Sequence, residues 1–203
     1  MHKEIFTPEQ SELLPLVAKF KKKFGLVGGT AIALHLGHRR SIDFDLFSWQ
    51  PFDSPAVKRL IKKQQKNIVA IFDIKNQLTV AINEVKFTWF YYPYPIEFNK
   101  QLADIIKLPD LLTLASIKAF ALGQRAKWKD YVDLYFILRD HYSVEDISRQ
   151  AKKIFQDEFN EKLFRVQLAY FESIDYSEQV DYLPGQEVSE EKIKRELKKF
   201  SVS

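Results

Sequence analysis

The chain contains no cysteine, which excludes a disulfide framework, a thiolate zinc site and a cysteine nucleophile together and suits a reducing cytosol. Histidine is scarce as well, at four residues, so any bound metal must take oxygen ligands or draw on those few imidazoles. No apolar run approaches the roughly 18 to 20 residues that cross a bilayer, and the segment from Met1 to Gln10 is too polar for a signal peptide. A cytoplasmic protein with no membrane partner is the expectation. Excess charge is thin too. A formal net charge of +4 tilts the expected partner toward anions, yet it is small for a dedicated nucleic-acid binder, and it does not choose between a nucleotide, an RNA and neither.

Core-forming side chains are plentiful. The 203 residues are 46% hydrophobic and include Phe 17 and Tyr 9, enough for one domain, or one domain with a helical extension, to close a core unaided by metals or disulfides. Thr7, Pro8 and Gln10 read as a helix start with a capping box. Leu13, Val17, Phe20 and Phe24 continue at helical spacing to Gly25, which can end the helix in the left-handed conformation; Pro15 kinks or splits it. Leu26 and Val27 form a short strand, Gly28 and Gly29 a tight turn, and Thr30 the N-cap of a helix that Gly37 stops. Ile42, Phe44 and Leu46 then alternate with Asp43, Asp45 and Phe47, the period of a strand. A basic amphipathic helix is expected from Ser54 to Lys66, followed by strands over Ile68–Ile74, Leu78–Ile82 and Val85–Tyr92 with a turn at Lys75 and Asn76. Beyond Pro93 the pattern is helical: Pro109 and Asp110 open one helix, Lys127–Arg139 forms another, Ser143 with Asp146 caps a third, and two more run over Glu161–Phe171 and from Ser189 to near Phe200. The expected division is an α/β core over residues 1–94 and a helical segment over 95–203.

Carboxylates at i and i+2 on a strand share a face, close enough to hold a divalent cation or bridge two. Asp43 and Asp45 fit that geometry, which is also that of a solvated polar face. A glycine turn at a helix N-terminus can cradle phosphates, and its combination with the paired carboxylates describes a triphosphate cradle beside a metal site. Arg39 has two readings, a phosphate contact and a structural anchor, and His38 could cap the preceding helix. Lys118 and Arg125 share a helix face, and Asp130 and Asp133 lie three apart on the next helix. Lys118 interrupts an apolar stretch, so its ammonium demands an anionic partner; for Arg125 and Asp133 a charge network between helices and a nucleotide contact both remain open.

The run from Leu26 to Leu34 (LVGGTAIAL), the run from His38 to Phe47 (HRRSIDFDLF), Lys118, Arg125 and the run from Lys129 to Tyr135 (KDYVDLY) together resemble the AbiEii/AbiGii toxin family of the DNA polymerase β-like nucleotidyltransferases, in matching order from Thr7 to Leu138. The resemblance implies an α+β fold, a minimal nucleotidyltransferase fold of small mixed sheet flanked by helices, followed by a helical segment. It implies Mg²⁺-dependent transfer of a nucleotidyl group from a nucleoside triphosphate to an acceptor such as RNA, in a toxin of a bacterial toxin–antitoxin or phage-defence system with a cognate antitoxin as partner. Two ions would sit on Asp43 and Asp45, with Mn²⁺ an alternative metal. Lys118 and Asp130 would join the two aspartates as catalytic residues, and Gly28, Gly29, Thr30, Arg39, Ser41, Arg125 and Lys129 would bind substrate. Two departures stand out. Thr88, in the run VKFT from Val85, takes the place of a third carboxylate, and Thr113 takes that of an acidic residue five before Lys118. Glu84 and Asp73 are the candidate substitutes. The rival expectation is a degenerate domain that binds nucleotide or a partner without turnover, and a third is phosphotransfer to a protein or small molecule. On its strand Thr88 should share a face with Lys86 and Phe90 and look toward the two aspartates.

Overall fold

The fold was analysed in a computed structural model, which describes residues 1–65 and 68–203. Helix α1 (Pro8–Ala18) starts as its sequence dictates, with the Thr7 side chain accepting from the Gln10 amide and the Gln10 side chain accepting from the Thr7 amide. Pro15 lies inside α1 without splitting it. The helix stops at Ala18, well before Phe24, and Gly25 is not its left-handed terminator. Gly25 belongs to strand β1 (Phe24–Val27), because the Phe98 ring occupies the space where its Cβ would project.

Helix α2 (Gly28–Leu36) follows β1 directly. Its N-cap is Val27 rather than Thr30, which sits in the first turn; the expected stop at Gly37 is present, with φ 63°. Strand β2 (Phe44–Ser48) buries Phe44, Leu46 and Ser48 and leaves Asp45 and Phe47 on the other face. It begins two residues later than the alternation suggests, and Ile42 is 52% exposed. Helix α3 (Ser54–Lys62) buries Val57 and Ile61; its expected end at Lys66 lies outside the described residues. Strands β3 (Ile68–Ile74), β4 (Gln77–Ile82) and β5 (Val85–Tyr91) fall on the three expected strand runs, though only β5 alternates in burial, and Asn76 takes φ 65° in the turn between the first two.

These strands form one mixed sheet in the order β1-β2-β5-β4-β3, antiparallel except for the parallel β2–β5 pair. One face carries Phe44, Phe87 and Trp89 and is covered by α1 and the residues flanking it, Phe6 lying 6.1 Å from Phe44 and Phe20 5.1 Å from Trp89. β3 is an edge strand, with Val69, Ile71, Phe72 and Ile74 exposed.

The stretch after Pro93 holds a small antiparallel pair absent from the sequence reading, β6 (Lys100–Leu102) and β7 (Ile106–Leu108). Three residues are too few to display a period. Helices α4 (Leu111–Leu122), α5 (Trp128–Asp140), α6 (Val144–Phe155), α7 (Glu161–Ala169) and α8 (Glu190–Val202) complete the chain. Side chains of Asp110, Ser143, Asn160 and Ser189 cap four of them. Arg125 is not on α4 but in the turn beyond it. One buried cluster runs through both halves, from Ile5 to Leu197, and no helix among the described residues is long and apolar enough to cross a membrane.

Candidate active site

The site grows from the junction of β1 and α2. Val27 is paired with Asp45 of β2, and the next residue, Gly28, takes φ +70°. The Asp45 carboxylate lies where a Cβ on Gly28 would stand, so only glycine permits this approach. At Gly29 a Cβ would come within 2.7 Å of Arg39 Nη2 and 3.1 Å of Ser41 Oγ. Thr30 is buried behind these groups, its hydroxyl within reach of Ser41 Oγ at 3.0 Å and of the Asp43 carbonyl. From α1, Gln10 Nε2 donates to the Ser41 carbonyl at 2.8 Å. Two helices thus pin the segment before β2 that carries Asp43 and leads into Asp45; Asp43 itself lies just outside the strand expected to hold it. The structure gives Thr30 that positioning contact, not an open face toward a triphosphate.

Asp45 is opposite Thr88 in the parallel β2–β5 register, and Thr88 is opposite Thr79 of β4, with the hydroxyls 3.5 Å apart. Lys86 Nζ lies 2.6 Å from Asp43 Oδ2. Asp43, Asp45, Lys86 and Thr88 line one cavity of ≈ 330 Å³, together with Ser41 and Lys129. Thr88 therefore faces the aspartates, as its register required. Glu84 and Asp73 do not line that cavity: Glu84 is in the β4–β5 turn with φ 67°, and Asp73 is paired with Lys58. Thr113 lies on α4 away from the aspartates, where Gln150 Nε2 approaches its hydroxyl at 3.4 Å. A second cavity of ≈ 310 Å³ adjoins the first through Asp45, Lys118 and Arg125, and Phe47, Phe90 and Tyr92 form its aromatic wall against α4.

Behind the cavity is a buried charge network. Asp133 of α5 is fully buried and receives Arg39 Nε at 2.7 Å, Arg39 Nη2 at 2.9 Å, His38 Nε2 at 2.8 Å and Lys118 Nζ at 3.1 Å. Lys118 also lies 2.7 Å from Asp130, which meets Arg125 at 3.1 Å. Burial opposes the charge on Asp133, but Arg39, Lys118 and His38 outweigh it and hold its carboxyl well below the usual carboxylate range. Burial likewise opposes the Lys118 and Arg39 charges, and the acidic partners keep both cations above their ordinary values. For His38 burial wins, so its pKa is lowered and the ring is neutral at pH 7. The anionic partner demanded by Lys118 is thus the pair Asp130 and Asp133. Arg39 is the anchor of its two readings, its guanidinium occupied by Asp133 and the Arg40 carbonyl.

Glu178 is a cavity residue that the sequence reading missed. It is paired with Lys127 and, at 3.4 Å, with Lys129, and the Lys127 hydrogen bond leads the effects that lower its pKa to about 2. Its segment has no period to betray it. Backbone bonds hold that segment to both sides of the site: Asp175 N to the Ala126 carbonyl at 2.7 Å, Arg40 N to the Asp181 carbonyl at 2.7 Å and Leu183 N to the His38 carbonyl at 3.1 Å.

Asp45 stands apart from the other acids of the cavity. Burial raises its pKa, Asp43 raises it further, and among the described residues it forms no ion pair. Two adjacent carboxylates are the donor type that a hard divalent ion takes. Among the described residues no group of three His, Cys, Asp or Glu could hold a metal.

A family model described as nucleotidyl transferase AbiEii toxin, of a type IV toxin–antitoxin system, matches residues 16–108. An uncharacterized protein of Aquifex aeolicus (strain VF5) is 32% identical over 201 residues, covering 95% of this chain and 96% of that protein. The chain belongs to the AbiEii family of nucleotidyltransferase toxins. MenT4, a nucleotidyltransferase toxin from Mycobacterium tuberculosis H37Rv, superposes with a TM-score of 0.60 at 16% identity, over 96% of this chain and 82% of MenT4. JHP933 from Helicobacter pylori gives 0.56 at 17%, over 98% and 91%. These likenesses show that the AbiEii member has the nucleotidyltransferase fold: a mixed five-stranded sheet with its helices.

Proposed function

We propose that this AbiEii protein transfers a nucleotidyl group from a Mg²⁺-bound nucleoside triphosphate to an RNA acceptor. The observation that carries the reading is Asp45, a carboxylate with no ion pair among the described residues and a raised pKa beside Asp43, at the junction of a cation-lined cavity and an aromatic one. Asp43 and Asp45 would hold the ion, which when bound neutralises phosphate charge and polarises the α-phosphate; Mn²⁺ has the same preference for oxygen and could replace it. Arg125, Lys127 and Lys129 supply positive charge for the triphosphate, with Ser41 and the Gly28–Gly29 backbone at the N-terminus of α2. The nucleobase fits against Phe47, Phe90 and Tyr92, where Gln124 offers both a donor and an acceptor. Lys118 and Asp130 line the cavity at its edge with the buried network, where Asp130 holds Arg125.

In the reaction the acceptor hydroxyl oxygen bonds to the α-phosphorus, the bond from that phosphorus to the bridging oxygen breaks, and pyrophosphate leaves. The hydroxyl proton passes to solvent water, because Thr88 cannot accept it near neutral pH. Lacking a general base there, turnover should be slower by about 10² to 10⁴. Thr88 also favours the second reading, a domain that binds nucleotide without turnover. Each nucleoside triphosphate, labelled at the α-phosphate, is incubated with total RNA and with total protein while binding is measured in parallel. Label in RNA supports the reading, binding without label supports the second, and unchanged Mg²⁺–nucleotide affinity in a folded Asp43→Asn protein overturns both. A cognate antitoxin is the protein partner implied by this reading.

A further inference from the structure

Resting on that reading, we propose that this chain uses one divalent ion, held at Asp45 and shared with Asp43, and that the Lys86 ammonium occupies the place of a second. Lys86 stands two residues before Thr88 on β5 and reaches Asp43 Oδ2 at 2.6 Å. The other carboxylates of the cavity are already committed, Asp130 to Lys118 and Arg125, Glu178 to Lys127 and Lys129. Asp45 alone lacks a cation among the described residues. A second ion would need a further anionic ligand near Asp43, and the position facing Asp45 across the sheet offers the neutral hydroxyl of Thr88. It would also stand against an ammonium, a like charge at close range. Thr88 and the lysine two residues earlier are then one arrangement: the strand offers no anionic ligand beside Asp45 and covers the negative charge on Asp43 with its own side chain. Lys86 is a positioning residue here, holding the Asp43 carboxylate and presenting a positive charge where the acceptor oxygen approaches. It takes no proton, being already protonated.

The test counts ions and follows Lys86 on the full chain. Mn²⁺ is titrated by electron paramagnetic resonance in the presence of α,β-methylene analogues of the four nucleoside triphosphates, and the reactivity of Lys86 to reductive methylation is read by mass spectrometry before and after loading. One Mn²⁺ per chain, with the reactivity of Lys86 no higher in the loaded protein than in the free one, is expected. Lys86→Ala combined with Thr88→Asp should bind two, with the line broadening of a coupled pair. Two ions in the wild-type chain, or a Lys86 that becomes freely reactive on loading, overturns the proposal while leaving the nucleotide site intact. No nucleotide-dependent Mn²⁺ binding at all overturns the underlying reading as well. The wild-type count decides the matter even if the double variant does not fold.

Discussion

Asp133→Asn should be among the most destabilising single changes in the chain, although Asp133 lies outside both cavities. The variant keeps the side-chain shape but removes the carboxylate that Arg39 is ion-paired with and one of the two paired with Lys118 among the described residues. Breaking a buried ion pair from one side costs about 3 to 5 kcal/mol, because the surviving charge stays desolvated. For a chain of this size each kcal/mol moves the melting temperature by about 2 to 4 °C, so a fall of roughly 6 to 20 °C is expected. The pH dependence gives a second check. The folded pKa of Asp133 is depressed, so its contribution is fully present above the unfolded value near ~3.9 and is lost as pH falls through the folded value. The gap between wild type and variant should therefore persist through the neutral range and close only in acid. His38 acts in the same sense over a higher window: burial depresses its pKa, so wild-type stability also falls as pH drops below about 6.5. Urea unfolding from pH ~2 to 8 measures both. A difference under ~1 kcal/mol at pH 7 would show that the network does not bear on folding as argued.

Asp45→Asn should do the reverse, raising the melting temperature of the nucleotide-free protein while removing metal-dependent nucleotide binding; the raised pKa means that the ionised form is disfavoured in the fold, a penalty present at neutral pH and relieved in acid. A lower melting temperature in the variant would contradict this. Glu178→Gln should tighten nucleoside triphosphate binding by up to about fivefold, the equivalent of a partly exposed ion pair worth up to ~1 kcal/mol, as Lys127 and Lys129 exchange an internal partner for phosphate; weaker binding by calorimetry would assign Glu178 to ligand contact instead. Gly28→Ala should cost about 1 to 2 kcal/mol for the left-handed backbone and lose nucleotide binding out of proportion, since the new methyl displaces the Asp45 carboxylate. Near-normal binding in a folded variant would place the ion elsewhere.

Local chemistry made much of this molecule legible in its sequence. The capping boxes at Thr7 and Ser143 and the strand-forming runs that became β3, β4 and β5 depend on residues within a few positions of one another. The same holds for the Asp43–Asp45 pair and for Thr88, whose face follows from the strand period. What failed depended on distant partners. Phe98 decides that Gly25 lies in a strand, and Ser41 with Asp43 turns the Thr30 hydroxyl inward, neither of which a helix-start pattern can express. The pairing of β2 with β5, which sets Thr88 against Asp45, is a non-local choice. Glu178 sits in an irregular run where neither period nor motif marks it.

That irregular run has a bearing on the lifetime of the protein. Residues 170–188 are largely exposed and lack helix or strand, the kind of backbone that proteases enter first. Yet the same run is bonded to Arg40 and His38 on one side of the cavity and to Ala126 on the other. A single cut there would leave the sheet, both aspartates and the whole family-matched segment untouched, with α8 still packed on α5 and α7. It would release Glu178 and loosen the two loops that carry Arg39 and Lys127. Such a nick would therefore change the shape of the cavity without unfolding the protein.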